Sequence, residues 1–136
     1  MGWLFIALCA AVICVLMWLL DPNLRRGRAF HAELALRESV PDGEMLRRYF
    51  AESEESSHIP REIRRIFAKH MGYPAEKLLP DDDFAFFWDE LDMGDLAKEV
   101  EVGFSITFTV GDELTPCTIR AASAMVEAKR RAQTAI

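Results

Sequence analysis

The sequence predicts an all-α chain, with an N-terminal transmembrane helix and stalk leading into a small helical bundle, and three observations carry that expectation. Residues 2–20, GWLFIALCAAVICVLMWLL, include no charged or strongly polar side chain. Ile59, Ile63, Ile66, Phe67 and Met71 recur at intervals of three and four, the spacing of one buried helix face. Helix-start chemistry recurs as well, with Ser57 ahead of Pro60 and Thr115 ahead of Pro116.

The apolar run reads as a membrane span. Its nineteen residues reach about 28 Å at a helical rise of about 1.5 Å per residue, close to the hydrocarbon thickness of a bilayer. Trp3 and Trp18 lie near its ends, where indole rings favour the interface. A buried core helix is seldom apolar on every face over this length in so small a protein. The more serious rival is a secretory signal peptide. Against cleavage, no Lys or Arg precedes the run, and Trp18-Leu19-Leu20-Asp21-Pro22 offers no small-x-small site. Cys9 and Cys14 lack the small residues that precede a lipidated cysteine, and Met1-Gly2 lacks the hydroxyl residue that myristoylation favours, so both cysteines read as small apolar helix residues. Arg25, Arg26 and Arg28 follow the span. Positive flanks stay inside, so the expectation is a single-pass protein of the inner (plasma) membrane whose C-terminal part is cytoplasmic.

Beyond the span, about 115 residues remain, enough for one soluble domain. Residues 51–136 hold seventeen acidic against ten basic side chains, a net of about −7. That balance excludes nucleic acid as a partner and favours a cytoplasmic protein with a basic surface. Cys117 is the one cysteine outside the span, so no disulfide forms within the domain, in keeping with a reducing compartment.

The expected organisation is an anchor over residues 1–21, a juxtamembrane helical stalk and hinge over 22–56, and a helical domain over 57–136. Residues 24–37, rich in Ala, Leu, Glu and Arg, suit the stalk helix. Asp42 is a candidate N-cap for a short helix carrying Leu46, Tyr49 and Phe50, and the polar run 53–57 is the candidate hinge. In the next helix Arg61, Arg64, Arg65 and Lys69 read as the solvated face, although a basic face near a membrane also suits lipid, and Gly72 and Pro74 end it. Phe84, Phe86, Phe87 and Trp88 supply bulk to the core. A second helix is expected over residues 91–102, weakened by Gly94, followed by a short extended segment over 104–108. The last helix is expected to be capped by Thr115 and to end near Arg131.

This order of helix, long loop, helix, short connector and helix over residues 57–131 resembles the acyl carrier protein family. In that family an Asp-Ser-Leu tripeptide opens an acidic helix, and its serine carries a phosphopantetheine arm. Here the tripeptide is Asp89-Glu90-Leu91, about two residues early relative to Phe84, followed by Asp92, Asp95, Leu96, Val100 and Phe104. Glu90 stands in the serine's place. A carboxylate cannot form the phosphodiester that holds the arm, so the resemblance implies an acyl-carrier-like domain with no cofactor and no catalysis. It also implies a docking surface, because basic patches on partner enzymes read the acidic helix of that family; Asp89, Glu90, Asp92, Asp95 and Glu99 are the candidate partner-binding residues. The bland alternative is that these acids only keep the domain soluble. A further alternative is a genuine carrier or enzyme accessory subunit modified elsewhere, at Ser105 or Cys117, although neither follows an Asp at a helix start.

Other chemistry fits less well. Asp81, Asp83, Asp89 and Asp92 fall at calcium-loop offsets, but Phe86 occupies the glycine position and Ala85 a ligand position. His31, His58 and His70 lack the paired spacing of a zinc site, and no nucleophile or Gly-rich phosphate loop accompanies Asp89 and Glu90. No metal and no small-molecule substrate is evident.

Overall fold

A computed structural model describes residues 2–50, 58–87 and 93–135. Among these the chain is all-helical, with six α-helices, two single-turn 3-10 segments and no strand. It divides into two compact units, Met1–Leu36 and Arg37–Ile136.

The first unit holds α1 (Gly2–Leu20) and α2 (Pro22–Leu36). No residue of α1 is buried, and it is long and apolar enough to cross a membrane. Pro22 explains the joint between the two helices. It has no N–H to give, so it fits the first turn of a new helix, and Asp21 caps that helix by accepting the Asn23 N–H at 2.9 Å. The backbone still follows a helical path across the joint, since Asp21 N–H donates to the Met17 carbonyl and Arg25 N–H to the Asp21 carbonyl, both at 3.0 Å. The Arg28 guanidinium lies 4.2 Å from the centre of the Trp18 ring.

The second unit is built around α4 (His58–Met71), which packs against α3 (Asp42–Tyr49), α5 (Met93–Phe104) and α6 (Ile119–Thr134). The three-and-four spacing of its apolar residues puts Ile59, Ile63, Ile66 and Phe67 inside. They meet Leu96, Val100 and Phe104 of α5 and Ile119, Ala122 and Val126 of α6, all buried. The long connection after α4 adds Leu78 and Phe84, and Phe84 meets Phe67 edge to face at 5.7 Å between centroids. Val40, Met45 and Leu46 form a second cluster, with Tyr49, Phe50 and Leu79 packed against it. The division between units falls after Leu36, so α3 lies in the same unit as α4, whereas the sequence suggested a boundary near 57. The candidate hinge at 53–57 lies outside the described residues, as do Trp88 and the start of the expected second helix.

Several local expectations are corrected. Arg64 is fully buried and is no part of a solvated face. Its Nε donates to the Leu78 carbonyl and one Nη to Asp42 Oδ1, each at 3.0 Å, because α3 and the turn Ala75–Lys77 cover this flank of α4. Asp42 is therefore no N-cap. It sits one residue inside α3 as a first-turn acid, Pro41 holds the cap position, and the carboxylate faces Arg64. Thr118, not Thr115, caps α6: its backbone is extended, and its hydroxyl accepts the Ala121 N–H at 3.0 Å. Residues 104–108 form no strand. Phe104 closes α5, and Ser105 takes φ 54°, which lets Ile106 N–H reach back to the Glu101 carbonyl at 3.1 Å and bury its side chain. Gly72 does end α4, with φ 73° and its N–H on the Ala68 carbonyl.

Candidate functional site

The expected docking surface centres on α5. Asp89, Glu90 and Asp92 lie outside the described residues, and α5 itself runs over Met93–Phe104. Asp95 stands exposed in its first turn, where the helix dipole favours an acid. Glu99 is one turn further along the same face. It is not a free acid: Lys69 Nζ lies 2.8 Å from Oε1 and His70 Nε2 2.5 Å from Oε2. These bonds, Lys69 first and His70 second, hold the Glu99 carboxyl below the ordinary carboxylate range. Glu99 thus ties α5 to α4 across the bundle.

The opposite flank of α5 holds a feature that the sequence did not disclose. A half-open cavity of about 560 Å³ is lined by Met93, Leu96, Ala97 and Val100 of α5, Phe67 of α4, and Ala122 and Met125 of α6. Phe108 and residues 112–115 of the connecting loop complete it. The lining is apolar except for Asp112, Glu113 and Thr115. Asp112 is fixed by Lys129 Nζ at 2.6 Å and by the Thr109 N–H at 2.6 Å, and these bonds, that of Lys129 first, hold its carboxyl below the usual range. Glu113 is exposed. Of the Phe104-x-Ile106-x-Phe108 alternation, which reads as a strand in the sequence, Phe108 lines the cavity and Phe104 and Ile106 do not.

The two positions considered for modification differ sharply. Cys117 is buried, and burial, with a smaller contribution from the Asp83 charge, pushes its thiol up to about 11, so it is neither accessible nor ionised near neutral pH. Ser105 is exposed, but it stands after the last turn of α5 rather than at a helix start. Among the described residues no group of three or more His, Cys, Asp or Glu side chains is gathered within reach of one metal ion.

Among the described residues, α5 carries Asp95 and the paired Glu99 on one flank and an apolar recess edged by Asp112 and Glu113 on the other. Compared with protein-family models, curated proteins and solved structures, the chain matches none.

Proposed function

We propose that this chain is a non-catalytic, membrane-tethered interaction module of acyl-carrier-like form that bears no phosphopantetheine arm. The observation that carries the proposal is the pairing of a nineteen-residue apolar helix, none of it buried, with a separate helical unit that has its own core. An exposed helix of that composition is costly in water and stable in a bilayer. Arg25, Arg26 and Arg28 orient the second unit to the cytoplasm.

The partner is a cytoplasmic protein with a basic surface. Asp95 supports this reading, as do Asp89, Glu90 and Asp92 by their place in the sequence, and Glu113 adds a carboxylate at the cavity. The cavity supplies what charge alone does not, since exposed ion pairs contribute little and affinity concentrates where an apolar side chain fills a desolvated pocket. An apolar anchor residue ringed by Lys or Arg matches both features.

The test is site-specific photo-crosslinking in membranes, with the reactive residue at Ala97 on the cavity wall. A discrete adduct is expected, and Asp95→Lys together with Glu113→Lys abolishes it, while Glu127→Lys on α6 leaves it intact. An adduct indifferent to charge reversal at α5 overturns the docking surface. The arm-free reading has its own readout: intact mass after co-expression with a phosphopantetheinyl transferase stays unchanged, and an added arm overturns it.

A further inference from the structure

We infer that Arg25, Arg26 and Arg28 form a collar that binds the headgroups of anionic phospholipids at the end of α1. The inference rests on the anchored reading above and adds a lipid class to it. Residues 22–32 contain these three arginines and no acid, whereas residues 33–136 carry a net charge of −8. The collar is therefore a basic island in an otherwise acidic chain. All three side chains are exposed, and Arg25 and Arg26 make no ion pair among the described residues. The nearest acid, Asp21, is turned to the backbone, where it caps α2 through the Asn23 N–H.

Position and direction agree with a headgroup site. Arg25 follows Leu20 by five residues and Arg28 by eight, which at a helical rise of about 1.5 Å puts their backbones roughly 8 and 12 Å beyond the end of the apolar helix. Side chains on a helix lean toward its N-terminus, which for α2 is the bilayer end. Arg28 shows this directly, because its guanidinium reaches back to stack on Trp18, a ring whose preferred depth is the interface. Long arginine stems reach headgroup level in the same way. Their planar forks match two oxygens of a phosphate, which a point-charge ammonium does not.

The test uses the full chain reconstituted in vesicles of phosphatidylcholine, alone and with phosphatidylserine as the minor component. Spin-labelled phosphatidylserine and phosphatidylcholine report which lipid is held next to the protein. The expected result is enrichment of phosphatidylserine by about threefold at low salt, falling toward unity in high salt. Arg25→Gln, Arg26→Gln and Arg28→Gln combined reduce it to unity or below, because the remaining charge is acidic, and lysine at all three positions keeps part of it. Vesicle flotation is run in parallel. A chain that floats without preference for phosphatidylserine, or a glutamine variant that keeps the preference, overturns the collar alone. A chain that floats with neither composition overturns the anchored reading itself, and the collar falls with it.

Discussion

Arg64 concentrates the energetics of the second unit in one side chain. Its guanidinium is removed from solvent, accepts compensation from Asp42 and the Leu78 carbonyl, and keeps one Nη without a hydrogen-bond partner. A buried charge is costly mainly when its counter-charge is removed, and replacing the charge itself by an apolar group of similar length is often cheap. Asp42→Ala is therefore expected to destabilise the unit by about 3 kcal/mol and Arg64→Met by no more than about 1.5 kcal/mol. Thermal unfolding in detergent checks the order, and a milder Asp42→Ala would mean that the buried guanidinium finds compensation elsewhere. Ser105 offers a gain instead of a loss. It is a non-glycine residue with φ 54° at the position after α5 where glycine is favoured, and its link to Gln133 uses the backbone carbonyl, which glycine retains. Ser105→Gly should raise stability by up to about 1 kcal/mol, visible as a higher unfolding midpoint.

At the scale of elements, the helix ends and the contacts between helices respond to different changes. Thr118→Ala removes the hydroxyl that accepts the Ala121 N–H and should cost about 1 kcal/mol, whereas Thr115→Ala, exposed and outside the helix, should stay within about 0.5 kcal/mol. The coupling of α4 to α5 depends on pH through Glu99. Its folded carboxyl is held below the ordinary range by Lys69 and then His70, so the stabilisation is complete above the unfolded value of about 4.3 and is lost as pH falls through the folded value beneath it. Glu99→Gln should lower the neutral region of the midpoint-against-pH curve, leave the region below the folded value nearly unchanged and so flatten the acid limb, and an unaltered acid limb would remove Glu99 from the coupling. The same elements show what was readable in advance. The face of α4 was legible because Ile59, Ile63, Ile66 and Phe67 obey a local period. Arg64 was not, since its burial depends on α3 and Leu78, fourteen residues and a helix away, and composition alone makes an arginine beside Arg65 look solvated. The cap of α6 was misplaced for a related reason: Thr115-Pro116 and Thr118 both carry start chemistry, and only the backbone path of the preceding loop chooses between them.

For the whole molecule, the decisive question is where the folding unit begins. A polar run at 53–57 made residue 57 an attractive boundary in the sequence, but three long-range ties cross it. Asp42 supplies the counter-charge of buried Arg64. Arg120 of α6 donates to the Tyr49 carbonyl at 2.8 Å while pairing with Asp81 at 2.6 Å, which links the end of α3 to the start of α6. Arg37 binds the Lys77 carbonyl at 2.9 Å and Asp82 at 2.6 Å, pinning the head of the unit to the long connection after α4. Removing residues before 58 therefore strips the Val40, Met45 and Leu46 cluster from its neighbours and strands Arg64 without its carboxylate. A buried cation without a partner costs about 3 to 5 kcal/mol, a large share of the roughly 5 to 15 kcal/mol that holds a domain of this size. A fragment of residues 37–136 is expected to melt cooperatively by circular dichroism, and one of residues 58–136 to lose that cooperativity while keeping part of its helical signal. Adding Arg64→Met to the shorter fragment should restore some of the transition, because it removes the stranded charge without replacing the lost cluster. If the shorter fragment melts as sharply as the longer one, α3 is an appendage rather than part of the core, and the ties through Asp42 and Arg120 contribute little to the fold.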